Sequence, residues 1–297
     1  VARVLLIFNP IAARADLRVV DRVARIFAKE GWEIDVEGTS RVGHAEDLAR
    51  AGVKDGVDLI AVYGGDGTTM QAVAGMVDAE VPIALIPGGT GNLLAGNLRL
   101  PRNPRVAAKA AARGRPKAID LGIMQRSDGD RYFAVACGAG FDAELMAATT
   151  GEAKRRWRFG AYVAQTLDRA TDLKVVHHRI TVDGDVLESD AVMVLVANCG
   201  EIIPPFVKLR DGILLDDGLF DVAIANAKTL MEGIDLFWRM LTGQLDAEHR
   251  LRFLRGQDVT IETAEPRPVE LDGEPDGTTP FTARVLHHAI HVMVPRT

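Results

Sequence analysis

The sequence predicts an α/β amino-terminal domain on a parallel sheet, then a mostly antiparallel β-sandwich, with an active-site cleft between the two. Three observations lead there. Early apolar runs of strand length lack the alternation of a strand wetted on one face, so they read as buried parallel strands. Two of them, Asp58 to Tyr63 and Pro82 to Ile86, run directly into glycine-rich turns. After about residue 122 the pattern changes to strands separated by hairpin signals such as Asp128-Gly129 and Asp183-Gly184.

Taken in order, Arg3 to Phe8 reads as a strand, Leu17 to Glu30 as an amphipathic helix, Trp32 to Glu37 as a strand and Ala45 to Val53 as a helix. Strands 58–62 and 83–86 continue the series. Between them Met70, Val73, Ala74 and Val77 fall at helical spacing, so the first glycine turn opens a helix. This alternation implies a parallel sheet covered on both faces. The second half carries two helical interruptions, roughly Glu152 to Thr171 and Thr229 to Leu241. The expected domains are residues 1–122 and 123–297.

The chain has 297 residues, enough for two cores, and a net charge of -6, which argues against nucleic acid as the main partner. Cys137 and Cys199 form no metal or disulfide framework and fit a reducing compartment. Apolar runs such as Ala191 to Ala197 fall well short of the ~20 residues of a membrane span. The expectation is therefore a cytoplasmic protein without a transmembrane segment, meeting any membrane from its surface. Homo-oligomerisation is left open by the sequence. Basic clusters at Arg99 to Lys117 and Lys154 to Arg158 read either as solvated helix faces or as attraction for phosphates and anionic headgroups.

The two turns are Gly64-Gly65-Asp66-Gly67-Thr68 and Pro87-Gly88-Gly89-Thr90-Gly91-Asn92. Glycines spaced this way let backbone close around a phosphate, and a following helix offers N–H groups to an anion. Neither turn matches the lysine-bearing P-loop or the dinucleotide fingerprint. Asp66 sets the first turn apart, because a carboxylate beside a phosphate cradle calls for a cation, most simply Mg²⁺. Ligands in such sheets bind beyond the carboxyl ends of the strands, where both turns and Asn9-Pro10 lie.

In the second half, Glu270, Asp272 and Glu274 occupy alternate positions, which an extended backbone would point to one face as tuned proton acceptors. Asp272-Gly273 reads equally as a turn. Asp216 to Asp221 reads as a cation site or as a hairpin. His287, His288 and His291 read as a metal site or as a surface strand, and the strand is preferred, since only His287 and His291 would share a face and no third ligand is evident. The apolar helix near 229–241 reads as core, with a lipid or partner surface as the alternative.

These motifs, with Ile119-Asp120-Leu121-Gly122, Gly138 to Asp142, Asp217 to Asp221 and Leu271 to Glu274, occur in the order that resembles the diacylglycerol kinase catalytic-domain family. The resemblance spans nearly the whole chain and implies an ATP- and Mg²⁺-dependent lipid kinase acting on a lipid such as diacylglycerol, peripheral at the inner face of the membrane. It implies ATP contacts at Asn9, Pro10, Thr39, the segment Gly64, Gly65, Asp66, Gly67, Thr68 to Gln71, and Gly88, Gly89, Thr90, Gly91 and Asn92. Asp66 would join a carboxylate and Mg²⁺ network, with Asp120 and Asp142 as further cleft residues. Asp217, with the carbonyls of Leu214 and Leu219, resembles the family's structural Mg²⁺ site. The base would be Asp272 or Glu274.

The family commonly carries asparagine and glutamate where this chain has Met70 and Gln71. The stretch Ile202 to Asp216 also departs from the family pattern. Two other readings share features: NAD kinase has the first glycine motif and the two-domain plan but a different second motif, and a lipid-binding protein could keep the fold without the activity.

Overall fold

The computed structural model describes residues 1–10, 17–140, 175–204, 207–227 and 250–296, with 232, 235 and 239. Asp142, the Lys154 to Arg158 cluster and the helix expected over 152–171 lie outside the described residues, as does most of the segment 229–241. The chain forms two units, residues 1–120 with 287–297, and residues 121–286.

The first unit contains β1 (Arg3–Phe8), α1 (Leu17–Lys29), β2 (Glu33–Gly38), α2 (His44–Lys54), β3 (Leu59–Gly64), α3 (Asp66–Ala74), β4 (Ile83–Pro87), α4 (Leu93–Asn97), α5 (Pro104–Ala112) and the start of β5 (Arg115–Gln125). Its strands are parallel in the order β2-β1-β3-β4. Every residue of β3 and β4 is buried, which is why neither strand alternates. Each buried Leu or Ile contributes about 1.5–3 kcal/mol. Helix α1 buries Val20, Val23 and Phe27, one stripe at helical spacing, and the chain then turns at Gly31, whose φ of 89° favours glycine. Phe27 meets Trp32 edge-on at 6.2 Å, and the Trp32 indole donates to the Ala112 carbonyl at 3.3 Å, fixing α5 against α1.

Helix α5 falls within the basic stretch Arg99 to Lys117, for which a solvated helix face was one of the two readings. Asn103 caps it by accepting from the N–H groups of Arg105 and Val106, Pro104 occupies its first turn, and only alanines (Ala107, Ala108, Ala111) face the core. The basic residues here lie on its outer side and beyond it; Arg113 pairs with Glu30 at 2.7 Å, which raises the guanidinium pKa and lowers the carboxyl.

The second unit holds the rest of β5, then β6 (Arg131–Phe133), β7 (Ala136–Gly140), β8 (Val176–Val182), β9 (Asp185–Ala191), β10 (Met193–Ala197), β11 (Glu201–Ile203), β12 (Val207–Lys208), β13 (Phe220–Ala225), β14 (Leu251–Gly256), β15 (Asp258–Thr263), β16 (Pro268–Leu271), β17 (Glu274–Thr278) and the first part of β18 (Phe281–Val294). One sheet runs β14-β13-β10-β7-β16-β17 and is antiparallel throughout. The other contains β18-β15-β8-β9. Their inner faces share a core in which Phe133 stacks on Phe220 at 5.5 Å among Val194, Val222, Ile261 and Phe281. Cys137 and Cys199 are buried and free, and burial pushes both thiols well up.

The first segment of the first unit ends at Asp120, and the last residues of β18 return to that unit. There Val292 pairs in parallel with Ile83 and Met293 joins the core of α1, α5, β3 and β4.

Candidate functional site

Strands β1 and β2 lie on one side of a reversal in strand order and β3 and β4 on the other, so the switch point falls between β1 and β3. Register puts Phe8 beside Tyr63 and Gly38, and Gly64 beside Pro87. Asn9, Thr39 and both glycine turns therefore emerge together at the carboxyl edge. The Asn9 amide donates to the Thr68 hydroxyl at 3.2 Å, bridging the switch point. Thr39 is buried, and its N–H donates to Phe8.

The two turns lock to each other. Gly88 N–H donates to the Gly64 carbonyl at 2.8 Å, and a Cβ on Gly89 would lie only 2.5 Å from the Gly65 Cα. Asp66 supplies the strongest tie: Oδ2 accepts from Asn92 N–H at 2.7 Å and Oδ1 from Leu93 N–H at 2.6 Å. Asn92 then closes its own turn, accepting from Gly89 N–H at 3.1 Å and donating to its carbonyl at 2.9 Å. A small cavity beneath is lined by Gly64, Asp66, Thr69, Leu85, Pro87 and Asn92. Thr90 and Gly91 are exposed at the tip, and Pro10 is exposed at the end of β1.

Gln71 accepts from Gly43 N–H at 3.0 Å, tying α3 to the start of α2. A neutral amide performs that task here, so the residue that departs from the family pattern holds the scaffold of the site. Asp120 lies elsewhere. It is fully buried, accepts from His287 Nδ1 at 2.9 Å and from His288 N–H at 2.8 Å, and sits by the part of β18 whose Ala289 bonds Asp78, ahead of β4. The glycine turns are at the other end of that strand. His288 has φ of 53°, which breaks the alternation and stacks the two imidazoles 3.7 Å apart. An expectation based on regular strand geometry could not see this.

In the second unit, Asp272 and Gly273 both have positive φ, 48° and 80°, and Leu271 pairs with Glu274. This is a two-residue hairpin of the mirror-image type I class, so the extended face expected for Glu270, Asp272 and Glu274 does not form; the Asp-Gly pair prefers this turn. Asp272 accepts from Ala134 N–H at 2.9 Å, Val135 N–H at 2.8 Å and Ala136 N–H at 3.0 Å. Buried Glu270 accepts from Gly273 N–H at 2.7 Å, while Glu274 is exposed at the head of β17. Two acids thus build the hairpin and the third is presented by it.

Asp217 accepts from Leu219 N–H at 3.2 Å and is ion-paired with Arg255, whose Nε lies 3.3 Å from buried Asp221. Arg210 approaches Asp221 from the other side at 3.6 Å. Burial raises the Asp221 pKa against the pull of these arginines. Arg255 thus supplies positive charge beside Asp217, where the resemblance implies a cation held with the carbonyls of Leu214 and Leu219, and Arg255 is the residue the sequence reading missed.

The family description "Diacylglycerol kinase catalytic domain" matches residues 3–124, and "YegS C-terminal NAD kinase beta sandwich-like domain" matches residues 135–294. The chain belongs to the diacylglycerol kinase catalytic-domain family, a family of lipid kinases, which are phosphotransferases with an alcohol acceptor. It is 27% identical over 298 residues to the diacylglycerol kinase of Bacillus subtilis (strain 168), covering 99% of this chain and 97% of that one. It is 26% identical over 286 residues to a Chromohalobacter salexigens protein named "Probable lipid kinase YegS-like", covering 93% and 88%. A crystal structure from Bacillus anthracis str. Sterne aligns with a TM-score of 0.82 at 27% identity, covering 98% of this chain and 97% of that one.

Proposed function

We propose that this protein transfers the γ-phosphate of ATP, carried with its Mg²⁺, to a hydroxyl of a lipid such as diacylglycerol. The observation that carries the reading is the pair of glycine turns interlocked through Asp66 at the carboxyl ends of neighbouring parallel strands. Phosphoryl transfer needs in-line positioning and charge cancellation more than covalent help from the protein. In this reading the turns and the start of α3 hold the phosphates by backbone approach, with Asn9, Thr39 and Thr68 beside them. Gly65, Gly88, Gly89 and Gly91 let the turns pack against each other, Tyr63 and Asp66, while Gly67 leaves open space at the start of α3 for the phosphates. Mg²⁺ arriving with ATP offsets phosphate charge.

Of the two candidate bases, Glu274 is favoured. Asp272 accepts three N–H bonds that weaken when it takes up a proton, whereas Glu274 is exposed. Glu274 takes the proton of the lipid hydroxyl, an effect worth about 10² to 10⁴ in rate. Asp272 acts through the hairpin that presents it. Among the described residues no helix is long and apolar enough to cross a membrane, and the reading has the enzyme meet its lipid at the membrane surface.

The test is incubation with γ-labelled ATP, Mg²⁺ and a panel of diacylglycerol, sphingoid base and glycolipid, with NAD as a control acceptor. Label in one lipid, lost in Asp66→Ala, supports the proposal. Label in NAD, or in no acceptor, overturns it.

A further inference from the structure

Asp120, His287 and His288 take no part in the glycine turns, yet they form a compact group. Each offers a ligand atom, and the three atoms lie within 4.8 Å of one another; among the described residues no other such group of three occurs. The carboxylate is fully buried and fixed, accepting from His287 Nδ1 at 2.9 Å and from the His288 backbone at 2.8 Å. The imidazoles are stacked 3.7 Å apart and open to solvent. The backbone of His288, at φ 53°, brings two neighbouring side chains of one strand to the same side. A tetrahedral shell with bonds of about 2.1 Å has edges of about 3.4 Å, so an ion would replace the 2.9 Å hydrogen bond with a shift of about 0.5 Å at the exposed imidazole.

We propose that Asp120, His287 and His288 bind a borderline transition-series dication of the Zn²⁺ type. Two imidazoles and one carboxylate suit such an ion, whereas Mg²⁺ prefers an all-oxygen shell. The site is thereby chemically separate from the Mg²⁺ that accompanies ATP. Solvent supplies the remaining coordination positions, since both rings are exposed. Asp120 is the last residue of the first segment of its unit and His287 the first of the returning segment. The ion therefore links the two chain segments of that unit, through β5 and β18.

The experiment uses the full chain without an affinity tag, stripped with chelator, and titrates Zn²⁺ calorimetrically in excess Mg²⁺. The expected result is one Zn²⁺ per chain, weakened at least about tenfold by His287→Ala and by His288→Ala. It should be unchanged by His177→Ala, which alters another exposed histidine beside Asp190 and Glu188. Both test positions are exposed, so folding should survive, and circular dichroism of each variant checks this. Absence of micromolar binding in the wild type, binding that survives both substitutions, or binding lost in His177→Ala overturns the proposal.

Discussion

Replacing Gly89 by alanine probes the interlock of the glycine turns directly. The new Cβ would stand 2.5 Å from the Gly65 Cα and 3.3 Å from Asn92 Oδ1. Ordinary carbon contacts are about 3.5–4 Å, so the turns must part by about 1 Å, and no side-chain rotation can relieve a clash with backbone. Parting them pulls on the Gly88 to Gly64 bond and on the Asp66 bonds to Asn92 and Leu93. Overpacking of this kind costs about 1–3 kcal/mol, and a 1 Å displacement at a reacting site costs on the order of 10² in rate. Gly67→Ala is the contrasting change. Nothing lies within 4 Å of its Cβ, and it sits inside α3, where alanine is favoured over glycine by up to about 1 kcal/mol. Thermal melting and ATP titration of both variants separate the two effects. Gly89→Ala should lose both stability and ATP affinity; Gly67→Ala should gain stability but lose affinity, as the methyl enters space meant for phosphate. Wild-type melting and ATP affinity in Gly89→Ala would refute the reasoning.

Asp272→Asn replaces an acceptor of three N–H bonds with a group that offers one acceptor oxygen, so melting should fall with a cost of about 1–3 kcal/mol; unchanged melting would show that the hairpin does not depend on it. Arg255→Ala removes the partner of Asp217 and of buried Asp221, so melting should fall, and millimolar Mg²⁺ should not restore it; restoration by Mg²⁺ would mean that a cation can take the guanidinium's place. His178 is buried, and burial lowers its pKa below 6.5. Its contribution to stability is therefore complete above that value and lost as pH falls toward the folded pKa, because only the unfolded chain takes up the proton. Melting between neutral pH and pH about 5 should decline less steeply in His178→Phe than in wild type; equal slopes would count against this.

What the sequence made legible follows from local physics. Strands β3 and β4 show themselves because burial on both faces leaves only apolar residues, and the glycines mark where backbone must approach backbone. The pairing of Val292 with Ile83 has no local signature, since the partners are far apart in sequence and the strand's alternation serves a sandwich equally well. The bounds of helix α5 hid behind its small core face of alanines, although Asn103-Pro104 is a readable start signal. The site was legible as residue types but not as roles. Asp66 and Asp272 proved to be ties between backbone segments, and Arg255 answered Asp217 across 38 residues of chain.

Transfer of labelled phosphate from ATP to diacylglycerol, measured for wild type and Glu274→Gln with ATP affinity taken on the same samples, bears most directly on the central claim. Wild type should label the lipid, and Glu274→Gln should lose about 10² to 10⁴ in turnover with folding and ATP affinity unchanged. Near-normal turnover in Glu274→Gln, or no label on lipid from the wild type, would contradict it.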